Sequence, residues 1–236
     1  MMNRQYLLAA AIAAALLPTV AVAHNHGARV SVGGSYQHVA IGQSAGNMPG
    51  ITFGISQQAA GIGIRARLSL ARGAGAELDT GSVQILAYPH HRVSPYLTVG
   101  GLALSNLSGT ASETVYSVNT TTGAISGSQV PVAVPPASVA MGFVFAGLHA
   151  SVPVNSRLSL DGHVALGAGI GGSATGLPPA AGARNEIAHE VGVALRYRLA
   201  HRGPVLSIGY DQESIPVRGA TFKSGGVIAS VGRRFF

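Results

Sequence analysis

The sequence contains no cysteine, so no disulfide framework can stabilise the fold. Charged residues are scarce, at 10% of the chain, whereas apolar residues make up 47%. Despite this apolar content, no run beyond residue 23 approaches the roughly 18 consecutive apolar residues that a membrane-spanning helix needs. The apolar residues are instead spread out among small and polar ones, which excludes a helical membrane protein.

Lysine is also nearly absent. Lys223 is the single lysine, and arginine supplies the other positive charges behind a formal net charge of +7. A basic chain can indicate a nucleic-acid partner, but that interaction needs a basic helix or an aromatic-flanked basic patch. The arginines here stand singly or in pairs along the chain, so we predict no nucleic-acid partner.

The first 23 residues have the pattern of a Sec-type export signal. Arg4 precedes an apolar segment over residues 6–22, and residues 21–23 form a small-residue cleavage site. We expect residues 1–23 to be removed and residues 24–236 to form one domain. Cleavage there would place His24 and His26 at positions one and three, where a free amine and an imidazole can chelate Cu(II) or Ni(II). Apart from these conditional ligands, we expect no metal site and no cofactor.

Beyond the export signal, the chain alternates with the period of two that indicates β-strands. The clearest segment covers residues 62–70, where apolar residues oppose Arg65, Arg67 and Ser69. Ten such segments of about 9 to 15 residues are long enough for tilted membrane strands. Because lipid permits only helices and closed barrels to cross, we predict an all-β fold. It is an antiparallel up-and-down transmembrane β-barrel of about ten strands, with eight strands as the alternative.

Three stretches rich in small and polar residues are predicted to be loops, namely residues 42–49, 106–137 and 171–184. Short turns are predicted near His90, Asn155 and Arg202, and counted along ten strands they fall at the end of the barrel opposite to the three loops. The longest loop, uncharged apart from Glu113, is a candidate for contact with a surface partner. A change of phase near Gly81 predicts a β-bulge.

The last strand resembles that of a known class of protein. Alternate residues of this strand share one face, namely Val227, Ala229, Val231, Arg233 and Phe235. The chain then stops on two aromatic residues, Phe235 and Phe236. This closing strand resembles the C-terminal signature of Gram-negative outer-membrane β-barrels, with Phe235 matching the final Phe. The stretch Ser94-Pro95-Tyr96, followed by Gly100-Gly101, looks like the corresponding hairpin of small barrels of the OmpW and OmpX kind.

The resemblance implies a place in the cell outer membrane, with membrane lipid and the outer-membrane assembly machinery as partners and a monomer as the default state. It also implies a periplasmic C-terminus, with short turns in the periplasm and long loops outside, so the three predicted loops are expected to face the cell exterior. The residues expected to carry the assembly signal are Val227, Ala229, Val231, Phe235 and Phe236.

If apolar residues face lipid, charged residues face a narrow lumen and must pair there. The expected lumen network is Arg29, Arg65, Arg67, Arg157, Asp161, Glu186, Glu190, Arg196, Arg198, Asp211 and Glu213, and the same rule adds Glu77 and Asp79. Six arginines against seven acids are close to balance, so no strong ion selectivity is expected. We therefore expect a structural or surface barrel with a charge-plugged lumen. A narrow porin-like channel for small solutes is the alternative.

A barrel enzyme is the second alternative, because some outer-membrane barrels are proteases or lipid A-modifying enzymes, and the omptin proteases have ten strands. Such a hydrolytic site needs a histidine within hydrogen-bond reach of a carboxylate or serine at the outer rim. Asp211, Glu213 and Glu186 lie near that rim in this topology. However, the alternation turns His189 toward lipid and places His163 in the periplasmic half. We therefore expect no enzyme activity.

Overall fold

The protein is a closed ring of ten antiparallel strands. The computed structural model describes residues 28–59, 61–89, 91–118, 120, 122–177, 187–200, 203–217 and 220–235. The strands are β1 (Ala28–Ile41), β2 (Ser44–Ala59), β3 (Ile62–Gly73), β4 (Ala76–Ala87), β5 (Val93–Val118), β6 (Ile125–Pro153), β7 (Leu158–Thr175), β8 (Ala188–Arg198), β9 (Val205–Val217) and β10 (Ala220–Phe235). Each strand pairs with the next, and β1 pairs with β10. The predicted ten-stranded barrel is confirmed, and the eight-stranded alternative is wrong.

Alternation along the strands separates an outward face from an inward face. Every strand exposes large apolar side chains on the outside, as Phe53 of β2 (44% exposed) and Ile208 of β9 (54% exposed) illustrate. Such a belt is unfavourable in water and is the ordinary lipid-facing surface of a membrane barrel. Among the described residues, no helix is long and apolar enough to cross a membrane.

The two ends of the barrel differ. We call the end where β1 begins and β10 ends the lower end, and the opposite end the upper end. At the lower end, turns join β2 to β3, β4 to β5, β6 to β7 and β8 to β9. At the upper end, β5 and β6 run on as a hairpin in which residues 109–118 pair with residues 125–134. At about 3.3 Å per residue, each arm of this projecting hairpin is about 30 Å long.

The projecting hairpin corrects the predicted loop over residues 106–137. The pairing of β5 with β6 shifts register between Leu104 and Gly109 and then resumes. Asn106, at the shift, has a φ of 59°, a left-handed conformation that asparagine tolerates better than most residues. The Ser, Thr and Gly content indicated a loop, whereas ladder pairing between the two arms keeps the backbone extended.

Two further loop predictions are wrong in extent. Only Gly42 and Gln43 separate β1 from β2, because Gly42 adopts a positive φ of 58° that closes a tight turn. Residues 44–49 are therefore strand, with Ser44 and Met48 buried in the lumen. In the predicted loop over residues 171–184, β7 extends to Thr175, while residues 178–186 lie outside the described residues.

The bulge predicted near Gly81 is also wrong. The registers of β4 with β3 and of β4 with β5 run without a shift through Gly81. Inward positions along β4 are therefore the even-numbered ones, from Ala76 to Leu86. This register turns Glu77 and Asp79 outward rather than into the lumen. Glu77 pairs there with Arg72 at 3.4 Å on the exposed face.

The upper half of the lumen is filled by apolar side chains. One cluster of residues that are at most 7% exposed draws members from all ten strands. We call its upper part the apolar plug, made of Val39, Ile41, Met48, Leu78, Leu104, Leu107, Val139, Met141, Phe143, Phe145, Ile215 and Phe222. The plug corrects the expectation that charged residues would fill the lumen, because the large buried side chains of this half are apolar.

Candidate functional site: the polar cavity of the lumen

Below the apolar plug, the lumen contains a polar cavity of about 310 Å³. It extends to the lower end of the barrel, because its lining includes Arg29 near the start of β1 and Arg234 near the end of β10. The charged and imidazole side chains that line it are Arg29, Arg65, Arg67, His149, Asp161, His163, Glu190, Arg196, Asp211 and Arg234. All of them project from strands, so the barrel wall fixes their positions.

One chain of contacts crosses the cavity from β3 to β5. Arg67 Nη1 lies 2.7 Å from Asp211 Oδ2, and Asp211 Oδ1 lies 3.9 Å from His163 Nε2. His163 Nε2 is also 3.3 Å from Glu190 Oε1, and the Tyr96 hydroxyl donates a 3.5 Å hydrogen bond to Glu190 Oε2. Two carboxylates thus face one imidazole.

A glycine makes room for this arrangement. Gly192 of β8 lies opposite both His163 of β7 and Asp211 of β9 in the register. A β-carbon at Gly192 would collide with Asp211 Oδ1 and with His163 Cε1. The close approach of His163 and Asp211 therefore depends on the missing side chain at position 192.

A second group of contacts surrounds Asp161. Arg196 Nε lies 3.2 Å from Asp161 Oδ2, and Ser159 Oγ donates a 3.4 Å hydrogen bond to the same oxygen. His149 Nε2 approaches Asp161 Oδ1 at 3.7 Å. Asp161 is only 3% exposed, and a buried carboxylate needs such partners.

Three other arginines lie in one row across neighbouring strands. Arg65 of β3 is opposite Ser56 of β2, Ser56 is opposite Arg29 of β1, and Arg29 is opposite Arg234 of β10. We call Arg29, Arg65 and Arg234 the arginine row. All three line the cavity, and Arg65 Nη1 donates a 3.5 Å hydrogen bond to Gln84 Oε1.

The cavity brings together most of the predicted lumen network. Seven predicted residues line it: Arg29, Arg65, Arg67, Asp161, Glu190, Arg196 and Asp211. Glu213 projects inward from β9 between Asp211 and Ile215, and Arg198 ends β8 at the lower rim. Glu186 lies outside the described residues.

The placement of Arg157 in the lumen network is wrong. Arg157 lies in the exposed turn after β6, because the Asn155 side chain accepts hydrogen bonds from the N–H groups of Arg157 and Leu158, each at 2.8 Å. This side-chain turn delays the start of β7 to Leu158, so Arg157 never joins the inward face.

Three lining or contacting residues were not predicted. Arg234 follows the period-two pattern of β10 and could have been found by assigning its face strictly. His149 follows Phe143 and Phe145 on a strand whose two faces are both apolar, so polarity gave no indication of its direction. Tyr96 donates a hydrogen bond to Glu190 across the lumen, a contact that only the closed ring creates.

The charges in the cavity are not balanced. Five arginines and three carboxylates line it, an excess of two positive charges (5 − 3 = 2) with neutral histidines. The near balance predicted for the whole lumen does not hold in this cavity, where Glu77 and Asp79 are missing because they face outward and Arg234 adds a positive charge.

The described residues include no group of three or more His, Asp or Glu side chains placed to hold a metal ion. His24 and His26, the conditional Cu(II) or Ni(II) ligands, lie outside the described residues, as does the predicted export signal over residues 1–23. His189 is on the outward face and exposed, as the alternation predicted.

The closing strand has the expected faces. Val227, Ala229 and Val231 lie on the exposed outward face of β10. The backbone of Phe235 pairs with Ala28 of β1, so the last residues of β10 help to close the ring. Phe236 lies outside the described residues.

No family model and no curated protein matches the chain, whereas solved structures do. The outer membrane protease OmpT from Escherichia coli is 12% identical, with 91% of this chain and 97% of that one covered and a TM-score of 0.53. The translocator domain of the autotransporter NalP from Neisseria meningitidis is 16% identical (97% and 98% covered, TM-score 0.45), and Ail of Yersinia pestis is 11% identical (89% and 99% covered, TM-score 0.38). At these identities the likeness concerns the fold alone. Of the three structures named, OmpT has a TM-score above 0.5 and supports the likeness of fold. The chain therefore has the fold of a small outer-membrane β-barrel.

Proposed function

We propose that this protein is an integral outer-membrane barrel with a closed lumen and a structural or surface role. The apolar plug carries the proposal, because its members come from seven of the ten strands and are nearly inaccessible to water. A conducting pore needs a continuous polar path, and tightly packed apolar side chains offer none. With its C-terminus in the periplasm, the barrel has its lower end facing the periplasm and its projecting hairpin facing the cell exterior.

Single-channel recording in planar bilayers tests the closed lumen. The purified, folded barrel is expected to insert without producing steady conductance steps. Phe145→Ala combined with Phe222→Ala, which shortens two plug side chains, is expected to produce measurable openings. Phe53→Ala on the lipid-facing side is the matched control and should stay silent. Steady conductance of the unaltered protein would overturn the proposal in favour of the porin-like alternative.

Among the described residues, the contacts between imidazoles and carboxylates do not lie at the outer rim, where the enzyme alternative needs them. These contacts, His163 with Glu190 and Asp211 and His149 with Asp161, lie in the lumen below the plug. A substrate would have to enter from the lower end, which in this orientation faces the periplasm. The closed structural barrel is therefore the function that the geometry supports best.

We also propose that the closing strand is read by the outer-membrane assembly machinery through its outward apolar residues and its two final aromatic residues. Phe235→Ser combined with Phe236→Ser is expected to lower the amount of heat-modifiable protein in the outer-membrane fraction. Phe53→Ser, an aromatic replacement on β2, serves as the control and should lower it less. Equal amounts for the doubly replaced and unaltered proteins would contradict this role.

A further inference from the structure

The arginine row has an unusual arrangement for a barrel interior. Arg29 and Arg234 occupy directly opposed positions on adjacent strands, and both side chains line the cavity. Adjacent strands are about 4.8 Å apart, and like charges placed directly opposite each other destabilise a sheet. Arg65 lies two strands farther around the ring in the same row, with Ser56 between it and Arg29.

The carboxylates of the cavity are committed to other partners. Asp211 pairs with Arg67, Asp161 pairs with Arg196, and Glu190 contacts His163 and Tyr96. Within the described part of the chain, none of the three arginines of the row forms an ion pair with a carboxylate. The row therefore concentrates positive charge that the barrel wall does not neutralise.

An anion with several oxygens would satisfy this row. Guanidinium groups present their N–H donors in a planar fork that matches phosphate oxygens two at a time. The Ser56 hydroxyl, in the same row, adds a neutral donor. A cavity of about 310 Å³ lies at the small end of the range for small-molecule sites, so it fits a compact solute and not a long chain.

We propose that the arginine row binds a small, soluble, multivalent phosphate-type oxyanion that enters the lumen from the lower end. In the orientation proposed above, this solute comes from the periplasm. The apolar plug stops it from crossing, so the site retains its ligand and does not conduct it. The proposal requires the cavity but not the closed plug, since an open barrel could bind the same anion.

Isothermal titration calorimetry with pyrophosphate tests the site, using the folded full-length barrel in a zwitterionic detergent at low ionic strength. The unaltered protein is expected to bind pyrophosphate saturably with a Kd below about 1 mM. Arg29→Gln, Arg65→Gln and Arg234→Gln should each weaken binding by about tenfold or more, because a charge-assisted hydrogen bond of that strength is lost.

Arg233→Gln is the matched control. Arg233 is the neighbour of Arg234 on β10 but lies on the outward, exposed face. Its replacement by glutamine therefore removes the same charge without changing the lining of the cavity. It is expected to leave the affinity unchanged. Equal weakening by Arg233→Gln and Arg234→Gln would mean that the whole charged surface attracts the anion, and would overturn the site.

Two further measurements cover folding and the origin of the phosphate. If a glutamine variant does not fold, Arg29→Lys replaces it, which keeps the charge but loses the forked geometry and should still weaken binding. In a second titration, micelles doped with an anionic phospholipid are added as a competitor, and they should not weaken the binding of pyrophosphate. Competition by the lipid, or no saturable binding of pyrophosphate, would overturn the proposal. If the barrel conducts ions but still binds pyrophosphate, that result would refute only the closed lumen.

Discussion

Replacing Phe145 by alanine tests the packing of the apolar plug directly. Phe145 is 1% exposed, and its ring centroid lies 5.5 Å from that of Phe143. The ring occupies the space that Gly167 leaves on β7, where a β-carbon would lie 2.6 Å from Phe145 Cδ1. Because Gly167 has no side chain that could move in, alanine at position 145 should leave a cavity.

The expected loss separates into two contributions. Removing a buried phenyl group from an apolar environment costs about 1.5–3 kcal/mol in transfer free energy. An unfilled cavity raises the total to about 3–5 kcal/mol. Phe53→Ala deletes the same group from the lipid-facing side of β2, where lipid chains refill the space, so only the transfer contribution applies. Phe145→Ala should therefore lower the free energy of unfolding by about 2 kcal/mol more than Phe53→Ala does, which is the difference between the middles of the two ranges.

Urea titration of the barrel in detergent micelles, followed by far-ultraviolet circular dichroism, measures both losses. This signal suits a chain that contains no tryptophan for fluorescence. The unfolding slope should be the same in both variants, which would exclude a change in the surface exposed on unfolding. Equal losses for the two variants would refute the interpretation that the upper lumen is a close-packed core.

Three other perturbations address the cavity and the projecting hairpin. Gly192→Ala should destabilise the barrel by about 1–3 kcal/mol through collision with His163 and Asp211, whereas the outward-facing Gly162→Ala should have little effect; equal unfolding midpoints would refute the collision. A double-mutant cycle on Arg67 and Asp211 should give a coupling free energy of about 0.5–3 kcal/mol in the same titration, and additive losses would show that the 2.7 Å contact contributes nothing. Replacing residues 111–132 by Asn-Gly should preserve heat-modifiable mobility, because the described residues of the two arms pair with each other and not with the ring; loss of the folded band would contradict this.

The strand count was predictable because lipid imposes the same demand on every strand. Outward positions must be apolar over the whole membrane thickness, so the pattern repeats from Val30 and Val32 in β1 to Val227 and Val231 in β10. The many glycines do not disturb this two-residue alternation, because each occupies one position of the strand like any other residue. The phase near Gly81 was misread because β4 carries the charged residues Glu77 and Asp79 on its outward face, so a charged side chain there does not indicate the inward direction.

The contents of the lumen were less predictable because they depend on contacts between distant strands. Phe143 of β6 lies against Gly100 of β5, and Phe145 lies against Gly167 of β7. No single strand reveals that a glycine on its neighbour leaves room for a phenyl ring. The contact between Arg67 of β3 and Asp211 of β9 likewise joins residues 144 positions apart, which only closure of the ring brings together.

The division of the lumen into two layers can nevertheless be traced within individual strands. The inward positions of β9, taken from the lower to the upper end, are Val205, Ser207, Gly209, Asp211, Glu213, Ile215 and Val217. After the first residue they change from polar to apolar, and the inward positions of β1 change in the same direction, from Arg29 to Ile41. Because both strands change in the same direction, the boundary between the polar cavity and the apolar plug can be recognised in each of them. Separating the two faces before assessing polarity along each one would have predicted a lumen that is open to solutes at one end and closed at the other.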